Sequence, residues 1–392
     1  MQKLKQLSLF ALTISASGIS FFTSLIIAKI YQTTAFGEFA YYFAIATILS
    51  GFLSLRIDTT SLVHPELNGT DKVLIIIATV VTLPFVLFFG STNTTLTLVL
   101  AASMAVFTSS AYSLIPQNRQ TLIGLFKLLL AAAILIGQVL ISQIEISANK
   151  LLLGATIANT IISIFFAIAS KSRSVSKLVL FSEATKIYVN RVAIIKNLAA
   201  WLIETSISFV PIIIITAKFN PHSAGLFAFS EKLFRAPTAI IISSVIPFAI
   251  SKLMKSTKTI PTIRKYWLGS LALTSPILLT PIIAEPLISY AWGNEWIEAA
   301  QICIILFPLF ILQTIIGGTN FIFNKTNKLV LYSTLQSIHL IAIYFAITFP
   351  DSLLNSLKLY AATSVTFYLI LAILQIKLGK DHDKINLNQS IL

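Results

Sequence analysis

Apolar residues run in long blocks from one end of this chain to the other, with short polar clusters between them. The blocks cover roughly 7–30, 39–62, 72–90, 94–115, 121–143, 150–171, 195–217, 222–250, 266–285, 297–322, 328–349 and 352–376. Each is long enough to cross a hydrocarbon core of ~30 Å as a helix, which takes about 20 residues. Inside lipid the backbone must satisfy its own hydrogen bonds, so the pattern predicts twelve spanning α-helices. Pro84, Pro211, Pro237, Pro247, Pro276 and Pro308 fall inside these blocks and predict bent or broken spans. The first block, Leu7 to Ile30, exceeds the h-region of a signal peptide and reads as a span.

Composition agrees with the pattern. Of 392 residues, 56% are hydrophobic and 11% charged, where a soluble domain carries about 25% charge. A net charge of +14 would suggest nucleic acid in a soluble protein, but here the placement of the charges gives another reason. In the twelve-span layout only Lys29, Lys150, Lys218 and Lys358 fall on one side, and Lys232 and Arg235 fall inside a span. All the other Lys and Arg residues collect on the opposite side, which is the bias of cytoplasmic loops. The layout therefore predicts both termini in the cytoplasm and no nucleic-acid partner. The single cysteine, Cys303, lies in an apolar block, and no spacing of His, Cys or carboxylates suggests a metal. Neither a cofactor nor an enzyme activity is expected. The connections are too short to hold a catalytic domain, and the outer loops lack the arginines of a membrane polysaccharide polymerase.

The longest polar connection, Lys171 to Lys196, separates six spans from six. The first hairpin of each half has a similar sequence: AKIYQTTAFGEFAYYF at 28–43 and AKFNPHSAGLFAFS at 217–230. With one gap, Lys29 pairs with Lys218, Gly37 with Gly225, Phe39 with Phe227 and Ala40 with Ala228. Six spans per half leave both halves running in the same direction, so the expected symmetry axis lies along the membrane normal. The expected fold is all-α: a six-helix bundle over 1–180 and another over 181–392, around a central cavity.

Three stretches then carry a family resemblance. TAFGEFAYYFAIATILSGFLSLRID, SEKLFRAPTAIIISSVIPF and YAWGNEWIEAAQICIILFP resemble, in order and position, the O-antigen and capsule flippases of the multidrug/oligosaccharidyl-lipid/polysaccharide exporter superfamily. That resemblance implies a bacterial inner-membrane protein. It would carry an undecaprenyl-diphosphate-linked oligosaccharide from the inner to the outer leaflet by alternating access through a polar cavity. It also implies a coupling ion, H+ or Na+, and neighbouring polymerase and chain-length proteins. A drug exporter of the same superfamily is the nearest alternative. It calls for carboxylates in the first bundle, where the only acid inside a block is Asp58, near an edge.

Candidate residues follow from charge inside the blocks. A charge near mid-bilayer is costly and faces a cavity or a partner. Lys232 and Arg235 are therefore candidate substrate cations, since arginine matches a diphosphate through its planar fork. Arg56, near the inner end of span 2, and Lys29, at the outer end of span 1, are further substrate candidates. Glu204, Glu231 and Asp58 are candidate ion-coupling carboxylates. Each has a plainer alternative: an ion pair within the bundle for Lys232, Arg235, Glu231 and Glu204, an interfacial pair for Arg56 and Asp58, and snorkelling for Lys29 and Lys218. His64 and His339 read as structural.

Overall fold

The computed structural model describes residues 2–62, 64, 67, 74–80, 82, 84, 90–117, 119–170, 180–234, 238 and 259–389. It is all-helical: α1 (Gln2–Ile30), α2 (Thr33–Ser54), α3 (Ile57–Thr60), α4 (74–80), α5 (Thr92–Leu114), α6 (Gln120–Ser142), α7 (Ala148–Ala169), α8 (Leu180–Val189), α9 (Arg191–Lys218), α10 (221–234), α11 (Thr259–Thr274), α12 (Thr280–Trp292), α13 (Ile297–Gly317), α14 (Phe321–Lys325), α15 (Leu329–Thr348) and α16 (Leu353–Gln389). Among the described residues nine helices are long and apolar enough to cross a membrane. A tenth span is formed if α11 and the helical stretch Ile277–Trp292, bent by 48°, count as one. The chain is a multi-pass membrane protein. Expected spans 72–90 and 222–250 run into residues outside those described, as do Arg235, Pro237 and Pro247.

Several boundaries moved. The second span starts at Thr33 rather than 39 and breaks after Ser54. The bend in the ninth falls at a 3-10 turn, Ser275–Leu279, which contains Pro276. Pro211 and Pro308 lie inside α9 and α13, which run on through them.

The chain forms two compact units, Met1–Gly225 and Leu226–Leu392, divided within α10. In the first, α1 packs on α6, and α5 packs on both α2 and α7. Phe126 stacks on Phe166 at 4.4 Å between ring centroids, and Phe107 meets the same ring at 4.9 Å. On α2 the buried small residues Gly37, Ala40, Ala44 and Gly51 form one stripe, the kind of surface that lets membrane helices approach closely; α9 packs against α2. In the second unit α16 is central, with α13, α15 and α11 against it. Phe229 packs on Trp296 at 4.6 Å, and the Ser230 hydroxyl donates to the Ala299 carbonyl at 2.9 Å. The buried Gln375 amide donates to the Ile316 carbonyl at 3.2 Å and to Asn320 Oδ1 at 2.8 Å, and it accepts from the Thr319 hydroxyl.

Candidate functional site

The best-defined polar cluster lies where the second span breaks. Leu55 and Arg56 both take left-handed backbone angles, φ 45° and 52°, without a glycine to ease them. Such a conformation costs on the order of 1–3 kcal/mol per residue and persists only where the surroundings hold it. Here the Arg56 N–H donates to Ser54 Oγ at 3.3 Å. The Arg56 carbonyl accepts from the hydroxyls of Thr59 (2.9 Å) and Thr60 (3.0 Å) and from Asn197 Nδ2 (3.3 Å). Asn197 Nδ2 also reaches the hydroxyls of Thr59 and Thr60. One amide on α9 thus ties down the whole break.

The guanidinium of Arg56 is enclosed. Its Nη1 meets Asp58 Oδ2 at 3.2 Å, with the Asp58 side chain fully buried and that of Arg56 12% exposed. It lies 5.1 Å from the ring centroid of Trp201 and 5.7 Å from that of Tyr112, within cation–π range. Its buried Nε has no hydrogen-bond partner among the described residues. Trp201 also covers Gly51, where an added Cβ would come within 1.9 Å of the ring. Arg56 and Asp58 are therefore brought together, as a buried pair in an aromatic cage. Asn197, Trp201 and Tyr112 were not foreseen. A lone amide or aromatic inside an apolar block gives no signal of what it will meet across the bundle.

Glu204 is the fourteenth of the 28 residues of α9, at the helix midpoint, and it is exposed. It continues the stripe of Asn197 and Trp201, seven and three residues before it. The apolar face of α9 lies opposite: Ile195, nine residues away, is 62% exposed and Val192 is 58% exposed. At ~100° per residue, nine residues place Ile195 and Glu204 on opposite sides of the helix. Glu204 therefore does not share the lipid-type face.

In the second unit Glu231 is buried at 8% exposure and Lys232 is half-buried, close to the end of the described part of α10. Arg235 lies outside the described residues. Lys29 is exposed at the end of α1, on the same face as Phe22 (61%) and Ile26 (41%). That face suits a lysine whose stem lies along lipid.

The two repeat-matched glycines meet. A Cβ on Gly37 would lie 1.8 Å from the Pro221 carbonyl oxygen and 2.6 Å from the Gly225 nitrogen. A Cβ on Gly225 would lie 2.0 Å from the Thr33 carbonyl oxygen and 3.2 Å from the Gly37 nitrogen. Each glycine receives the carbonyl four residues before the other, so the contact is reciprocal. Beside it Thr33 Oγ1 and His222 Nδ1 are 2.6 Å apart.

No protein-family profile matches the chain, and no curated protein does. Solved structures do match its fold. The lipid II flippase MurJ in an inward closed conformation is 14% identical, with a TM-score of 0.58 over 98% of this chain and 88% of its own. A point mutant of the Vibrio cholerae MATE transporter VcmN is 13% identical, with a TM-score of 0.54 over 97% of this chain and 98% of its own. An inward-facing multidrug-resistance MATE family transporter of the MOP superfamily is 13% identical, with a TM-score of 0.53 over 98% and 96%. The fold is thus the all-helical membrane fold that MurJ and the MATE transporters share.

Proposed function

We propose that this chain is a flippase for an undecaprenyl-diphosphate-linked oligosaccharide, an O-antigen or capsule repeat unit. In this reading it moves that lipid from the inner to the outer leaflet of a bacterial plasma membrane, with both termini cytoplasmic and six helices in each half. The observation that carries the reading is Glu204: an exposed carboxylate at the midpoint of a 28-residue apolar helix, on the side away from its lipid-type face. A charge at that depth needs water or a partner, which a solvent-filled transport path supplies. Glu231 and Lys232 put more charge in α10, and the sequence adds Arg235 three residues further on, within the expected span 222–250.

The mechanism follows from charge competition. Lys232 and Arg235 supply cations for the diphosphate, Glu231 next to Lys232 competes for them, and Glu204 on α9 is a second ion-coupling carboxylate. Binding of H+ or Na+ at a carboxylate releases the cations to the substrate, and the ion departs on the other face. Arg56 is already neutralised by Asp58, and serves to hold the break of span 2 against α9. MurJ, named a lipid II flippase, lends the reading its substrate class; the MATE likeness supports the second reading, a drug exporter. Lys232 and Arg235 in the sequence favour the first, because a cationic drug has no use for them.

The test is complementation of a bacterium that lacks its polysaccharide flippase. Surface polysaccharide should return with the wild type and fail with Lys232→Ala, Arg235→Ala and Glu204→Gln at equal membrane expression. Rescue by all three variants would refute the assignment. Drug resistance conferred in place of surface polysaccharide would favour the exporter.

A further inference from the structure

Lys127 stands where a helix that spans lipid does not place a lysine. It is the eighth residue of α6, about 10 Å along it at 1.5 Å per residue. The lipid-type face of α6 is marked by Leu125 (41% exposed), Leu129 (43%), Ile136 (57%) and Leu140 (63%). Ile136 is nine residues from Lys127 and so on the opposite side of the helix. The stripe that holds Lys127 also holds Ala131 (4%) and Gln138 (2%). Gln138 is bound on both sides: its amide donates to the Leu151 carbonyl of α7, and its backbone carbonyl accepts from the Tyr31 hydroxyl just after α1. Lys127 thus lies on the packed side of α6, yet it is exposed.

The facing helix repeats the anomaly. On α1 the packed stripe is Ala16 (6%), Thr23 (5%) and Ile27 (1%). Ser20 lies within that stripe, and it too is exposed. The Tyr31–Gln138 contact joins the C-terminal ends of α1 and α6, so the two helices run parallel. Ser20 lies eleven residues before Tyr31, and Lys127 lies eleven before Gln138. The two exposed positions are therefore level with one another. Ser24, whose hydroxyl donates to the Ser20 carbonyl at 3.0 Å, is one turn further along.

We propose that the α1–α6 seam opens at this level into an aqueous recess, and that Lys127 with Ser20 binds the phosphate of a membrane lipid there. One ammonium and a hydroxyl, near lipid and reached by water, suit a phosphomonoester or diphosphate headgroup better than a sugar or an apolar drug. If the flippase reading is right, that headgroup is the substrate's diphosphate at the inner-leaflet level. The recess itself does not depend on that reading.

The test uses the full-length protein in inside-out membrane vesicles and a charged, membrane-impermeant thiol reagent. Cys303 is buried and gives a low background. Lys127→Cys and Ser20→Cys should be labelled several-fold faster than Leu129→Cys and Ile136→Cys on the lipid-type face. Equal rates would overturn the recess, because a cysteine is too short to snorkel. A short-chain prenyl diphosphate should then slow labelling of Ser20→Cys, which keeps Lys127. Adding Lys127→Ala should weaken that protection about tenfold or more, the effect of one charge-assisted contact, and Lys127→Arg should keep it. Protection by phosphatidylglycerol and not by phosphatidylcholine would assign the recess to phospholipid headgroups. Equal protection by the prenyl alcohol, or none by either phosphate lipid, would overturn the phosphate assignment. None of these readouts requires transport, so failure of the flippase reading would show separately, in complementation.

Discussion

Gly37→Ala tests the helix contact on which the first unit closes. The new methyl carbon would lie 1.8 Å from the Pro221 carbonyl oxygen, where an ordinary carbon–oxygen contact is about 3.3 Å. The helices must part by more than an ångström, and neither obstacle is a side chain that can rotate away. Overpacking typically costs about 1–3 kcal/mol. Parting the helices also removes the close Cα–H···O approaches from both glycines, worth roughly 0.5–1 kcal/mol each. The expected loss is therefore about 2–5 kcal/mol. Gly269→Ala in α11 and Gly18→Ala in α1 are the controls: an added Cβ meets nothing within 4 Å at either, and alanine should help a helix by roughly 0.5–1 kcal/mol. The assay is thermal inactivation of purified protein in detergent, scored as half-life because such unfolding is often irreversible. Gly225→Ala should resemble Gly37→Ala, and the double variant should cost less than the sum, since the first change already separates the helices. A Gly37→Ala protein as long-lived as Gly269→Ala would refute the reasoning, and so would strict additivity.

Other expectations concern the break in span 2 and the second unit. Arg56→Ala leaves the buried Asp58 carboxylate without its guanidinium and should cost about 3–5 kcal/mol; Arg56→Ala with Asp58→Ala should recover part of that in the same assay. Asn197→Ala removes the amide that binds the Arg56 carbonyl and two threonines, with an expected cost of about 1–3 kcal/mol and faster proteolysis near residue 55. Gly51→Ala would push Trp201 off the guanidinium, so Trp201 fluorescence should shift, and adding Trp201→Leu should restore stability. Gln375→Leu strips a buried amide of its bonds to Ile316, Asn320 and Thr319. It should shorten thermal half-life modestly, each membrane hydrogen bond being worth about 0.6 kcal/mol on average.

The spans were legible because apolar blocks of this length have one low-energy state in lipid. The breaks were less so. Proline was the expected marker, yet α9 and α13 run through theirs, while the second span breaks at Leu55–Arg56, where no proline or glycine stands. Its conformation is held by Asn197, Thr59 and Thr60, and a tertiary hold leaves no local trace. Repeat matching found both glycines without showing that they touch. Arg56 and Asp58 were readable as charges at a span end, but their aromatic cage comes from α5 and α9. Lys127 was counted with the inner loop. Its place in α6 shows only once the helix has faces, because a lysine near a span end looks the same whether it points to water, lipid or a recess.

The Gly37–Gly225 contact has a consequence for how the sequences around it can vary. It is made of backbone alone, so no side chain has to be matched across it. The neighbours already differ, Phe36 aligned with Ala224 and Glu38 with Leu226, while the four-residue step from each glycine to the carbonyl it receives is the same on both sides. The pair works as a registration mark. It fixes the height of Thr33–Gly37 against Pro221–Gly225 to within a helical turn, and leaves the sequences around it free to drift.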